Sequence, residues 1–120
     1  MIVIRPEQLR VLNDVARRAR LQERLPMLRL RHGVALAALS DEAVIELVLR
    51  VEAKAARYEL HRDSDRLAYL GLALRFGEAM DEDPARPWIG AILRDPLLDG
   101  PARLRRMAEE VELRGRRGAL

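Results

Sequence analysis

From Pro6 onward, Leu9, Leu12, Ala16 and Ala19 recur at the three- and four-residue spacing that places them on one face of a helix. Pro6 suits a first helical turn, where its missing N–H would have had no partner. Arg10, Arg17, Arg18, Arg20 and Arg24 fall mainly off that stripe and read as a solvated basic face. Pro26 is expected to kink or end this helix, because a proline cannot donate to the preceding turn. Residues 27–31 can continue helically beyond it, and Gly33 punctuates the chain before a short apolar piece, residues 34–39.

The next helix starts at Ser40, an N-cap followed by Asp41 and Glu42, whose charge suits the positive end of the helix dipole. Leu39 and Val44 are spaced to close a hydrophobic staple around that cap. Val44, Leu47, Val48, Val51, Ala55 and Tyr58 share one face. Ile45, Leu49 and Ala56 form a second apolar strip, separated from it by Glu52 on one side and by Glu46, Arg50 and Arg57 on the other. Such a helix is a central post buried on two sides, unless the second strip is the surface given to a partner.

Residues 59–65 are polar and turn-like, with His61 and Ser64 placed to help cap the following helix and Asp63 and Asp65 in its first turn. That helix is apolar nearly all round: Leu67, Leu70, Gly71 and Leu74 on one face, Ala68, Tyr69, Leu72 and Ala73 on the rest. Gly77 ends it. An acidic loop follows, containing Asp81, Glu82, Asp83, Pro84 and Pro87, and Pro87 opens a short helix through Ile89, Ile92 and Leu93. Trp88 is expected to anchor the loop on the core. Leu104, Met107, Ala108 and Val111 mark a last helix, and the basic residues 114–120 are expected to fray. The reading is an all-α, single-domain bundle of about five helices over residues 1–120, with a proline-containing acidic loop.

Composition agrees with this. The 120 residues include four aromatics (Tyr58, Tyr69, Phe76 and Trp88) and no threonine, so the residues that sheets favour are scarce. The absence of cysteine excludes disulfides, zinc-thiolate and iron–sulfur sites and a thiol nucleophile, and a reducing cytoplasm is the expected home. The opening apolar stretch is too short for a signal peptide, and no run approaches the roughly 18–20 apolar residues that span a bilayer. A net charge of +3 is weak support for nucleic acid, although residues 5–31 hold eight arginines against three acids.

Candidate chemistry mostly fails on spacing. His61, Arg62 and Asp63 spell a kinase catalytic-loop tripeptide, but Ala68 stands where that loop needs asparagine. His61, Asp63 and Ser64 are the residue types of a hydrolase triad on a single turn, whereas triads converge from separate segments. Asp81, Glu82 and Asp83 open like a calcium loop, yet Arg86 and Ile92 occupy the positions that need glycine and a bidentate glutamate. A weaker cation site at Asp81 and Asp83 stays open against the reading of a solvated acidic loop. His32 lacks a ligand at metal spacing, and no phosphate-binding glycine loop is present. No enzyme activity, cofactor or metal site is expected. The arginines of the first helix and of the tail (Arg114, Arg116 and Arg117) provide phosphate-neutralising charge without residues for base readout.

One ordered set of motifs is more specific. Ile4 to Gln8, Ser40-Asp41-Glu42, Asp65 to Leu70, Phe76-Gly77, and above all Asp81, Asp83 and Pro84 followed by Pro87 and Trp88, resemble a family of small helical bacterial proteins encoded beside type VI secretion spike, PAAR-tip and toxin genes. The resemblance implies an adaptor or co-chaperone whose partner is a spike, an effector or a chaperone. It marks Asp81, Asp83, Pro84, Pro87 and Trp88 as a loop motif or partner surface, with Ile45, Leu49 and Ala56 as a second candidate surface. The alternatives are an immunity protein that neutralises a cognate toxin and a small nucleic-acid-binding regulator. Nucleic acid is the less expected partner, no membrane partner is expected, and the sequence leaves the oligomeric state open.

Overall fold

Ser40 does what its position predicts: its Oγ accepts the Ala43 N–H at 3.2 Å, and the helix it caps carries Asp41 and Glu42 in its first turn. The structure is a computed structural model describing residues 5–120. The apolar opening, with Ile4 of the first motif, lies outside the described residues. These form α1 (Pro6–Arg31), α2 (Gly33–Leu36), α3 (Asp41–Arg57), α4 (Asp63–Phe76), a 3-10 turn (Met80–Glu82), α5 (Pro87–Leu93) and α6 (Gly100–Arg116). No strand occurs among them, and none of their helices is long and apolar enough to cross a membrane. The all-α reading is therefore the observed fold. The chain divides into two compact units, residues 1–47 and 48–120, with the division inside α3.

In the first unit, α1 passes through Pro26 and continues to Arg31. The expected break does not end the helix. Pro26 and Gln22, whose carbonyl loses its donor, are both exposed, so solvent is available to that carbonyl. Leu21, Leu25 and Leu28 around it are buried. The face picked out by Leu9, Leu12, Ala16 and Ala19 is exposed and lies on the opposite side of the helix from these three leucines. Two arginines bind the unit together. Arg29 reaches Asp41 Oδ1 through Nε at 3.0 Å and Nη2 at 2.6 Å, and donates to the carbonyls of Leu36 at 3.1 Å and Leu39 at 2.8 Å. Arg18 bridges Glu42 at 3.1 Å and Glu46 at 2.6 Å.

In the second unit, α3 ends in a left-handed turn at Glu59 (φ 64°), where the Leu60 N–H returns to the Ala55 carbonyl at 3.0 Å and the Leu60 side chain is fully buried. Arg103 of α6, itself buried, closes this end by donating to the carbonyls of Tyr58 at 2.8 Å and Asp95 at 3.2 Å. Tyr69, Leu70 and Ala73 of α4, Met80, Ile89 and Leu93, and Met107 of α6 supply buried apolar volume. The cap expected from His61 and Ser64 is not the one observed. Arg62 is the N-cap residue of α4, and its guanidinium binds Asp65 through Nε at 2.9 Å and Nη2 at 3.0 Å, so Asp65 rather than a hydroxyl fixes the first turn. At the other end Gly77, at φ +100°, supplies the conformation that terminates α4. α6 keeps its helical form to Arg116, past the point where fraying is expected.

Gly90 of α5 lies against the backbone carbonyl of Asp81, where a Cβ would collide, whereas a Cβ at Gly33 would meet open space. Gly90→Ala should therefore cost about 1–3 kcal/mol of stability in urea unfolding followed by circular dichroism. Gly33→Ala should be neutral or stabilise by up to about 1 kcal/mol.

Candidate functional site

The acidic loop is built outward from one buried carboxylate. Asp81 is only 4% exposed. Its Oδ1 accepts from Lys54 Nζ at 2.7 Å and its Oδ2 from the Tyr58 hydroxyl at 2.5 Å. Lys54 lies in the last turn of α3 and Tyr58 immediately follows it, four residues on and on the same side. Lys54 Nζ also donates to the Glu78 carbonyl at 3.0 Å, and the Glu78 carboxylate pairs with Arg50 at 2.9 Å. Arg50, Lys54 and Tyr58 thus grip the loop at three successive turns. Burial pushes the Asp81 carboxyl upward, but the hydrogen bonds from Lys54 and Tyr58 outweigh it and hold the group below its usual range. Burial first, and then the bond to Asp81, push the Tyr58 hydroxyl up to about 12. With Lys54 on one oxygen and Tyr58 on the other, Asp81 is occupied as a structural anchor, and no group of three or more metal-ligating side chains occurs among the described residues. A cavity of about 220 Å³ beside it is lined by Arg50, Val51, Lys54, Glu78 and Ala79, and its charged groups are already engaged with one another.

Asp83 has a different task. Its Oδ1 accepts the Ala85 N–H at 2.9 Å, shaping the turn, and its Oδ2 binds Arg86 Nη1 at 3.3 Å. The Arg86 guanidinium lies 5.3 Å from the centre of the Phe76 ring, and Arg75 approaches the same ring at 5.2 Å. Phe76 meets Trp88 edge to face, with centroids 6.0 Å apart at 85°. Arg114 of α6 sits over the Trp88 ring at 4.6 Å while pairing with Glu110 at 3.1 Å. The result is a partly exposed patch of two aromatic rings and three guanidiniums, assembled from the end of α4, the loop with the first turn of α5, and the last turns of α6. Trp88 is half-buried and belongs to this patch, while its neighbour Ile89 is fully buried and takes the anchoring place expected of the tryptophan. Pro84 and Pro87 are exposed, with Pro87 in the first turn of α5.

The second strip of α3 does not form one surface. Ile45 is buried in the first unit, while in the second unit Leu49 is half-buried and Ala56 exposed. The sequence gives no site role to Lys54, Arg75 or Arg86, marks Phe76 only as a motif position and counts Arg114 only as charge of the basic tail. One signal was present: Lys54 is the single lysine in a chain of 22 basic residues, and Tyr58 follows one turn later. His32 is half-buried, with its pKa lowered by burial and by the neighbouring Arg31 charge.

Comparison with protein-family models, curated proteins and solved structures finds no match for this chain.

The Asp81 node gives an acid-sensitive stability. Because the folded-state carboxyl titrates below its unfolded value of about 3.8, its contribution is complete above that pH and is lost as pH falls through the lower folded value. Unfolding measured by circular dichroism should show this loss below about pH 4. Asp81→Ala should cost about 2–3 kcal/mol near neutral pH, since it strands a partly buried ammonium and a phenol. Lys54→Met should move the onset of acid unfolding to higher pH, because burial then acts on Asp81 opposed by the tyrosine and backbone hydrogen bonds without the ammonium.

Proposed function

We propose that this protein is a non-enzymatic, protein-binding accessory factor, an adaptor or co-chaperone of a type VI secretion or polymorphic-toxin cluster. The observation that carries the binding part of this reading is the patch of Phe76, Trp88, Arg75, Arg86 and Arg114. Tryptophan and arginine are the residues most enriched at interface hot spots, where a flat ring gives contact area at low entropic cost and a guanidinium adds directional polar contacts. The patch is held ready. Asp83 orients Arg86, Glu110 orients Arg114, and the loop beneath is tied to α3 through Asp81. Three guanidiniums favour a partner surface that is acidic around an apolar centre. The placement in a secretion cluster is supported by the ordered motif of Asp81, Asp83, Pro84, Pro87 and Trp88 and its resemblance to the family encoded beside spike and toxin genes.

The test is affinity purification of the tagged protein from its native bacterium after nuclease treatment, with mass spectrometry of stoichiometric partners. A spike, effector or chaperone should be retained by the wild type, and the double charge reversal Arg75→Glu, Arg114→Glu should lower retention at least about tenfold, a loss of about 1.4 kcal/mol, while helicity is preserved. Undiminished retention by that variant would show that the patch is not the interface. Recovery of no secretion component would overturn the adaptor reading.

A further inference from the structure

The exposed side of α1 carries a seam longer than the apolar stripe first seen in the sequence. Arg5 at the N-cap, then Leu9, Leu12, Ala16, Ala19 and Glu23, follow one another at alternating steps of four and three, the spacing of a coiled-coil seam. All six are exposed, with Leu9 at 50% and Leu12 at 55%. The buried leucines of α1 lie on its opposite side, so this seam is extra to the one that packs the first unit.

We propose that the seam pairs with the same seam of a second copy of this chain, with the two α1 helices antiparallel. The order of the six residues is self-complementary in that direction. Laid antiparallel about a centre between Leu12 and Ala16, each Leu12 faces Ala16 of the other copy and each Leu9 faces its Ala19, so every large side chain meets a small one and the helices can approach closely. The same register sets Arg5 against Glu23 of the other copy at both ends, closing the apolar layers between opposite charges. A parallel pairing lacks this fit. It would stack alanine on alanine, leaving gaps, and would set Glu23 against Glu23 and Arg5 against Arg5. The antiparallel pairing is isologous and closes on itself, so it gives a dimer and not a filament. This surface is separate from the Phe76 and Trp88 patch, and the proposal stands or falls independently of the adaptor reading.

Analytical ultracentrifugation of the full chain from micromolar to millimolar concentration tests it. The wild type should show a concentration-dependent dimer, and Leu12→Glu, a change at an exposed position, should abolish it while leaving helicity intact. Arg5→Glu should weaken the dimer several-fold, and the exchange Arg5→Glu, Glu23→Arg should restore it. Because the chain has no cysteine of its own, oxidation of a mixture of Leu9→Cys and Ala19→Cys chains should give the mixed disulfide in preference to either homodimer. A monomer at every concentration, a dimer indifferent to Leu12→Glu, or a preferred Leu9→Cys homodimer would each overturn the proposal.

Discussion

A carboxylate that is 4% exposed must be compensated, and much of the second unit is arranged around that requirement. Two donors, Lys54 in the last turn of α3 and Tyr58 just beyond it, have to stand on one side, which fixes where the loop crosses the end of that helix. The loop has then to be tight enough for its Asp81 carbonyl to lie against Gly90, which fixes where α5 begins and why the contact position has no side chain. Met80 and Ile89, on either side of this polar pivot, are buried. A neutral residue at position 81 would fill space but would specify none of these placements.

Arginine does related work elsewhere in the chain. Arg29 in the first unit, beside its pairing with Asp41, and Arg103 in the second each donate to two backbone carbonyls left over at the ends of helices and in turns. A planar guanidinium with five donors can satisfy two such carbonyls at once, which a lysine could do only with its point-like head. Connections in this chain are short and carry few hydroxyl or amide side chains, so these guanidiniums replace the usual caps. Arg18, Arg50 and Arg62 pair with carboxylates instead, and Arg75, Arg86 and Arg114 lie over aromatic rings, where the same flat group becomes a binding surface.

How far the sequence could be read depended on the range of each interaction. The cap at Ser40, the termination at Gly77 and the opening of α5 by Pro87 are local, and residue type with spacing was enough to place them. The failures are of longer range. The stripe of Leu9, Leu12, Ala16 and Ala19 correctly indicates a helix but says nothing of which face is buried, because periodicity carries no information about the partner. At Pro26 the intrinsic cost of proline predicts a kink or an end, and of these the end does not occur, because packed turns on both sides carry the helix through residues 27–31 past one missing hydrogen bond. Asp81 looked like half of a solvated acidic pair because its compensating ammonium lies 27 residues earlier. The aromatic patch draws on three segments, and no single one of them announces it.

The length of α1 relative to its packed portion has a consequence for how this helix forms. Only the turns from Leu21 to Leu28 are pinned by burial, while the turns before them are solvated on nearly every side. Nucleating a helix is the unfavourable step, and adding residues to an existing one is nearly neutral. The pinned turns therefore serve as a permanent nucleus, and the solvated turns are propagated from it one hydrogen bond at a time. In the isolated chain a gradient of helix–coil equilibrium is expected, with amide exchange slowing from Leu9 toward Leu21. The length of ordered helix offered to solvent is then set by temperature and by whatever rests on it.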